Sequence, residues 1–270
     1  ADYVIRDSVA SRGLVDVYKR QVYLLAMSKL TKRPGFGPMK HVLTAAGEPF
    51  GDLHLHTHHS DGLDSPEKVV QRAAALGMSY LAVTDHDTIR AVPVAAESAK
   101  ELGIRFVPGV ELSANTEGGD VHLLGYFVDV EDEEFRETLS IVENKRRERV
   151  LCMIEKLRGL GVKAFPERYF ARYSRGFTGR LSLATYLVDE GLVPSKAVVF
   201  SKYLGRECPA YEPVDALTTA EALRVLRKAG GVTVLAHPGR SGIDHLISQL
   251  IEEGLHGIEA YPVSYTHLTL

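Results

Sequence analysis

Tryptophan is absent from the 270 residues, and cysteine occurs only twice, at Cys152 and Cys208. Two cysteines cannot build a disulfide framework, so a reducing compartment is the default and a stapled secreted scaffold is excluded. No run approaches the ~18 consecutive apolar residues of a membrane span. The apolar patch Val22–Met27 is shorter than a usual signal-peptide core and lacks a convincing cleavage site. Low-complexity tracts and internal repeats are missing, and the net charge is a modest −3. These absences exclude fibrous, disordered, disulfide-rich and membrane-spanning classes. What remains is a globular chain, 45% hydrophobic and 25% charged, long enough for one large α/β domain or two small ones. One residue type is abundant. There are 11 histidines, seven of them between His41 and His122, and that clustering hints at metal chemistry.

From Asp52 short apolar runs alternate with helical patterns. Gly51–Leu55, Tyr80–Thr84, Ile104–Val107, Val121–Val128, Val232–Leu235 and Gly257–Ala260 read as strands. Ser65-Pro66-Glu67 reads as a helix start, with Ser at the N-cap and Pro at the first helical position. Asp132–Leu160 reads as a long charged helix. Repeated strand–helix–strand units predict a parallel sheet, open or closed into a barrel, with chemistry at the carboxyl ends of the strands. Residues 130–215 interrupt the alternation and read as a mainly helical insertion.

His54 and His56 lie two apart on the first strand, so their side chains share one face and two imidazoles can meet one metal. Asp61 follows in the polar loop His58–Gly62, and Asp85-His86-Asp87 follows the second strand. Glu111 is expected after the third strand, beyond Pro108-Gly109; His122 opens the fourth; His237 ends Val232–Ala236. His, Asp and Glu without Cys suit Mn, Fe or Zn with bridging carboxylates. Each group alone has an ordinary structural explanation, and only their joint placement at strand ends argues for a metal site. His58, His59 and Asp87 stay ambiguous between supporting and exposed loop roles. His41, His245, His256 and His267 carry no motif.

The strings DLHLHTHHSDG, LAVTDHDT, VPGVELS, DVHLLGY and VLAHPGR resemble successive motifs of the PHP (polymerase and histidinol phosphatase) family, most closely its TrpH-like phosphoesterase branch. The resemblance covers roughly Gly51 to Tyr261. It implies an α/β fold, a distorted (β/α)7 barrel with up to three divalent metal ions, manganese expected with Fe or Zn as alternatives. The implied metal ligands are His54, His56, Asp61, His86, Glu111, His122 and His237, with Glu111 bridging. Glu111 and His237 are the implied catalytic residues, acting with a metal-activated water. The family's final Asp-x-His pair, expected some tens of residues after Tyr261, is not present, and Tyr265-Thr266-His267 is no substitute. That departure predicts C-terminal truncation and puts the activity of the chain in doubt.

Arg240, Arg180 and Lys202 are the candidate phosphate-binding cations, with Arg206 a further one; Arg offers a planar fork suited to phosphate. Between Asn144 and Arg180 there are 11 Lys/Arg against three Asp/Glu, a basic stretch suited to a polyanion. A solvated amphipathic helix is the slightly favoured reading of Lys145–Arg149. Phe165, Tyr169, Phe170, Tyr173 and Phe177 could stack a base, although core packing is the simpler use for most of them. The expected function is hydrolysis of phosphate esters of nucleotides or short nucleic acids, such as nucleoside 3′,5′-bisphosphates or RNA 5′ ends, in the cytoplasm, with no membrane and no obligate protein partner. A histidinol-phosphatase-type monoesterase and a non-catalytic metal-binding domain are the alternatives. Domain organisation is expected as an N-terminal extension over 1–50, a PHP barrel over 51–262 and a tail over 263–270. The strings RGLVDVYKRQ and VSYTHLTL resemble translated sequencing-adaptor read-through, so both ends are expected to be partly foreign.

Overall fold

The computed structural model describes residues 22–24, 51–116, 119–173, 178–213, 217–238 and 244–259. The strands are β1 (Val22–Leu24), β2 (Gly51–Leu55), β3 (Tyr80–Val83), β4 (Arg105–Thr116), β5 (Gly119–Tyr126), β6 (Leu217–Thr218), β7 (Val232–Leu235) and β8 (Gly257–Glu259). They form one sheet in the order β1-β8-β7-β5-β4-β3-β2, with β6 paired to β4, and the sheet is strongly curled into a half-barrel. Helices α1 (Pro66–Ala75) and α2 (Val92–Glu101) connect β2, β3 and β4, which run parallel as expected.

The sheet as a whole is mixed, which corrects the expectation of a parallel one. β5 runs antiparallel to both β4 and β7, and β1 antiparallel to β8. The cause is connection length: only residues 117 and 118 separate β4 from β5, and a parallel crossover needs a dozen residues or more. β4 also runs past its expected end at Val107 to Thr116. Pro108, which has no N–H to give, sits where β4 hands over from β3 to β5, so the ladder survives it. Gly109 follows because a Cβ there would meet Thr84 Cγ2 at 2.8 Å. Glu111 and His122 therefore lie inside a two-stranded ladder, at positions the sequence reading put at strand ends.

Helix α3 (Glu133–Gly159) matches the long charged helix within a residue at each end, and Asp132 caps it by accepting the Phe135 N–H at 2.7 Å. At 27 residues it is roughly 40 Å long, enough to serve two cores. Its first half puts Phe135 and Leu139 against the sheet cluster of Val110, Leu112, Leu123 and Leu226. Its second half puts Val150, Met153, Ile154 and Leu157 into a separate cluster with Tyr169, Leu183, Tyr186 and Leu204. That cluster belongs to α4 (Pro166–Tyr173), α5 (Arg180–Asp189), α6 (Lys196–Val199) and the π-helical turn Phe200–Leu204. The aromatic residues Tyr169 and Phe170 are thus mainly core and core-flanking; Phe177 lies outside the described residues. Helix α7 (Thr219–Lys228), opened by a Thr218/Glu221 capping box, and α8 (Ile247–Glu253) cover the sheet around β7. No described helix is long and apolar enough to cross a membrane.

Candidate metal centre

Glu111 stands at the middle of the curled sheet with no solvent exposure. Five imidazoles surround its carboxylate. His54 Nε2, His56 Nε2 and His86 Nδ1 lie 2.9, 3.1 and 3.4 Å from Oε2. His122 Nδ1 and His237 Nε2 lie 2.9 and 3.0 Å from Oε1. His54 and His56, read as sharing one strand face, do converge, with ring centroids 5.1 Å apart. Asp61 sits at the rim, half-exposed, 3.4 Å from His56 Nδ1 and 3.9 Å from His86 Nε2. All seven residues read as ligands are therefore brought together.

Local backbone chemistry explains the convergence. The β2–β3 register shifts between Asp52 and Leu55, and Asp52 Oδ1 accepts the His54 N–H at 2.9 Å. The loop after His56 is clamped by buried Asp85, which accepts from Thr57 N–H, Thr57 Oγ1 and Ser60 Oγ, each at 2.6 Å. Gly62 closes that loop, since a Cβ there would meet the His56 carbonyl oxygen at 2.4 Å. His86 is held by a bridge to the Glu111 backbone, flanked by Glu111 N–H to Asp85 O and Asp87 N–H to Glu111 O. His237 lies two residues past β7 with φ +31°, a conformation that a non-glycine residue adopts only when its surroundings hold it.

The electrostatics follow from burial. Burial alone would push the Glu111 carboxyl up, but His86, His54 and His122 together hold it well below the usual carboxylate range. Burial pushes His86 well below the usual imidazole range, against the opposing pull of Glu111. Burial also opposes the charged form of His122, yet the contact with Glu111 raises it. The donor set fits a divalent-metal centre: imidazoles and carboxylates with no thiolate. Three overlapping groups, His54/His56/Glu111, His56/Asp61/His86 and His86/Glu111/His122, each bring one donor atom per residue within 4.8 Å of the others. Among the described residues His237 Nδ1 is buried without a hydrogen-bond partner.

Beside His86 and His122 a cavity of about 220 Å³ opens, lined also by Arg146, Arg149 and Arg180 and by the acidic Asp120. Arg180, one of the expected phosphate-binding cations, is in place at the first turn of α5. Lys202 is not in the cavity wall; it is exposed, with its ammonium 5.3 Å from the Tyr203 ring centre. Arg206 is exposed as well, and Arg240 lies outside the described residues. Arg146 and Arg149 correct the reading of Lys145–Arg149 as a solvated face: both are buried, while Arg147 and Glu148 are exposed. Arg146 donates to Asp87, which also accepts the Ser113 N–H at 2.8 Å, and to Ser113 Oγ at 2.6 Å. Asp87 is thus an anchor for an arginine. Arg149 Nε donates to the Glu212 carbonyl at 2.8 Å, and its Nη2 has no hydrogen-bond partner among the described residues. Burial, with Arg180 and Arg146 nearby, pulls its pKa down to about 10. The signal for both arginines was present in the sequence, because Val142, Arg146, Arg149, Val150 and Met153 form one helical stripe. His58 and His59 lie tilted against each other with ring centroids 4.6 Å apart, and neither belongs to the three donor groups.

The PHP domain model matches residues 52–189, just over half of the chain. The chain belongs to the PHP domain family. It is 37% identical over 191 residues to the 5′-3′ exoribonuclease Rnm of Salmonella typhimurium, covering 70% of this chain and 65% of that protein. It is 33% identical over 221 residues to the 3′,5′-nucleoside bisphosphate phosphatase of Chromobacterium violaceum, covering 80% of this chain and 78% of that protein. A solved structure from Bifidobacterium adolescentis, described as a candidate metal-dependent phosphoesterase, matches with a TM-score of 0.69 at 29% identity over 77% of this chain and 76% of that one. This PHP chain thus spans 65% of the length of the Salmonella relative.

Proposed function

We propose that this PHP chain is a metal-dependent phosphoesterase acting on phosphate esters of nucleotides or short nucleic acids. The observation that carries the reading is a buried Glu111–histidine cluster opening directly onto a cavity walled by three arginines. His54, His56, Asp61, His86, Glu111, His122 and His237 would hold the ions, with Glu111 between them. Divalent ions bound there supply Lewis acidity toward a phosphoryl oxygen and a more acidic water. The other roles belong to the chain itself. Arg149 and Arg180 repel each other across a partly desolvated space, and a phosphate between them replaces that repulsion with charge-assisted hydrogen bonds. Arg146, fixed by Asp87 and Ser113, keeps its guanidinium on the same wall. A phosphate held there lies against His86 and His122. The names of the two relatives, one acting on RNA and one on nucleoside bisphosphates, support this substrate class.

The curled sheet is, in this reading, part of a distorted (β/α)7 barrel over residues 51–262, with manganese as the working ion and the cytoplasm as the setting. The test is turnover by the purified chain with Mn²⁺ on adenosine 3′,5′-bisphosphate and on a 5′-phosphorylated oligoribonucleotide, beside histidinol phosphate. Hydrolysis of the first two, abolished by a chelator, is expected. Equal turnover with and without chelator, or preference for histidinol phosphate, would overturn the reading.

A further inference from the structure

Glu259 brings a carboxyl group into the interior and belongs to no recognised motif. It ends β8, next to β7, and is 1% exposed. Its two oxygens are used separately. Oε2 accepts the His237 backbone N–H at 2.8 Å, and Oε1 lies 3.2 Å from His54 Nδ1. His54 is thereby suspended between two carboxylates, with Nδ1 toward Glu259 and Nε2 2.9 Å from Glu111. When an ion takes Nε2, the ring proton of His54 is left on Nδ1, where the Glu259 carboxylate can accept it. A carboxylate behind Nδ1 favours that ring form, the one a metal-ligating imidazole needs. The other contact acts on backbone. His237 has φ +31°, and its N–H is tied down by the same carboxylate. One side chain thus touches the ring of a residue on β2 and the main chain of a residue after β7.

We propose that Glu259 is a positioning residue of the metal centre, fixing the His54 tautomer and the turn that presents His237; this rests on the metal-centre reading above. Glutamine at 259 keeps the size but has a single acceptor oxygen. It can serve the His237 N–H or the His54 Nδ1–H, and its amide N–H₂ meets the other as a donor.

The experiment uses the full chain and Mn²⁺ as the probe. In Glu259→Gln the Mn²⁺ dissociation constant, measured by competition with a chelating dye, is expected to rise about 10–100-fold, the usual cost of losing a partner behind a metal-ligating histidine. Long-range ¹H–¹⁵N spectra of the parent chain loaded with diamagnetic Zn²⁺ are expected to show His54 protonated on Nδ1. The same spectra of the Zn²⁺-loaded variant should show that form losing population. Should Glu259→Gln not fold, the parent tautomer decides alone: protonation on Nε2 overturns the proposal. Glu111→Ala separates the two ideas. If it binds Mn²⁺ as tightly as the parent, the metal-centre reading fails. If it loses Mn²⁺ while Glu259→Gln binds with parental affinity, only the positioning role fails.

Discussion

The candidate site has two walls of different construction. One is the sheet, where β2, β5 and the segments after β3 and β7 deliver imidazoles to the buried carboxylate of Glu111 on β4. The other is helical, where α3 and α5 deliver guanidinium groups to the cavity beside it. The sheet wall is over-determined: Asp85, Asp52 and Glu259 hold loops and rings in place, and the backbone ladder fixes the register. The helical wall meets the sheet wall through Arg146 on Asp87, while Arg149 keeps a buried donor without a hydrogen-bond partner among the described residues. A rigid donor cage beside a less satisfied basic wall is the arrangement expected when ions stay and substrate comes and goes.

The largest effect should come from the sheet wall. Glu111→Ala removes the one carboxylate that all five imidazoles face. Losing about 4 kcal/mol of transition-state charge stabilisation lowers the rate by roughly 10³-fold. Metal analysis of the variant should show depleted Mn²⁺. A variant with full metal and undiminished turnover would break the division between a metal wall and a substrate wall.

Next comes the joint between the walls. Arg146→Met leaves Asp87 buried with its charge uncompensated except for the Ser113 N–H. Removing one partner of a buried ion pair costs about 3–5 kcal/mol, so the urea midpoint should fall well below that of the parent. The double variant Arg146→Met/Asp87→Asn should recover part of the loss. If the single variant unfolds at the parental midpoint, the pair is not what anchors α3 to the sheet.

The two walls were unequally legible in the sequence, for physical reasons. A strand exposes its chemistry as a local spelling: His54-Leu55-His56 states by period alone that both rings share a face, and Asp61, His86 and His237 follow strands closely enough to be placed. Even there the ladder was misjudged. Glu111 and His122 lie inside a hairpin because Pro108 is tolerated at a change of strand partner, which no local propensity announces. The helical wall is harder because a run of charges reads as solvated by default. Only the apolar stripe through Arg146 and Arg149 betrays them, and their partners are distant: Asp87 lies 59 residues from Arg146, and Glu212 lies 63 from Arg149. Glu259 was missed because its partner His54 is 205 residues distant. The aromatic residues of the insertion went the other way: spacing placed them, and packing made Tyr169 core.

The finest test compares two cations of the insertion that sequence alone cannot rank. Arg149 is buried in the cavity wall with a donor to spare, whereas Lys202 is exposed over Tyr203. Arg149→Met should leave bound Mn²⁺ unchanged and raise KM for a nucleoside bisphosphate about 10–100-fold, the worth of one or two hydrogen bonds to a charged group. Lys202→Ala should change KM by less than about twofold, because an exposed ammonium is screened and readily replaced by solvent. Steady-state kinetics on the two variants under one salt condition settle the order. A larger effect at Lys202 would mean that substrate approaches over the π-helical turn, and the cavity beside His86 and His122 would lose its claim as the phosphate-binding wall.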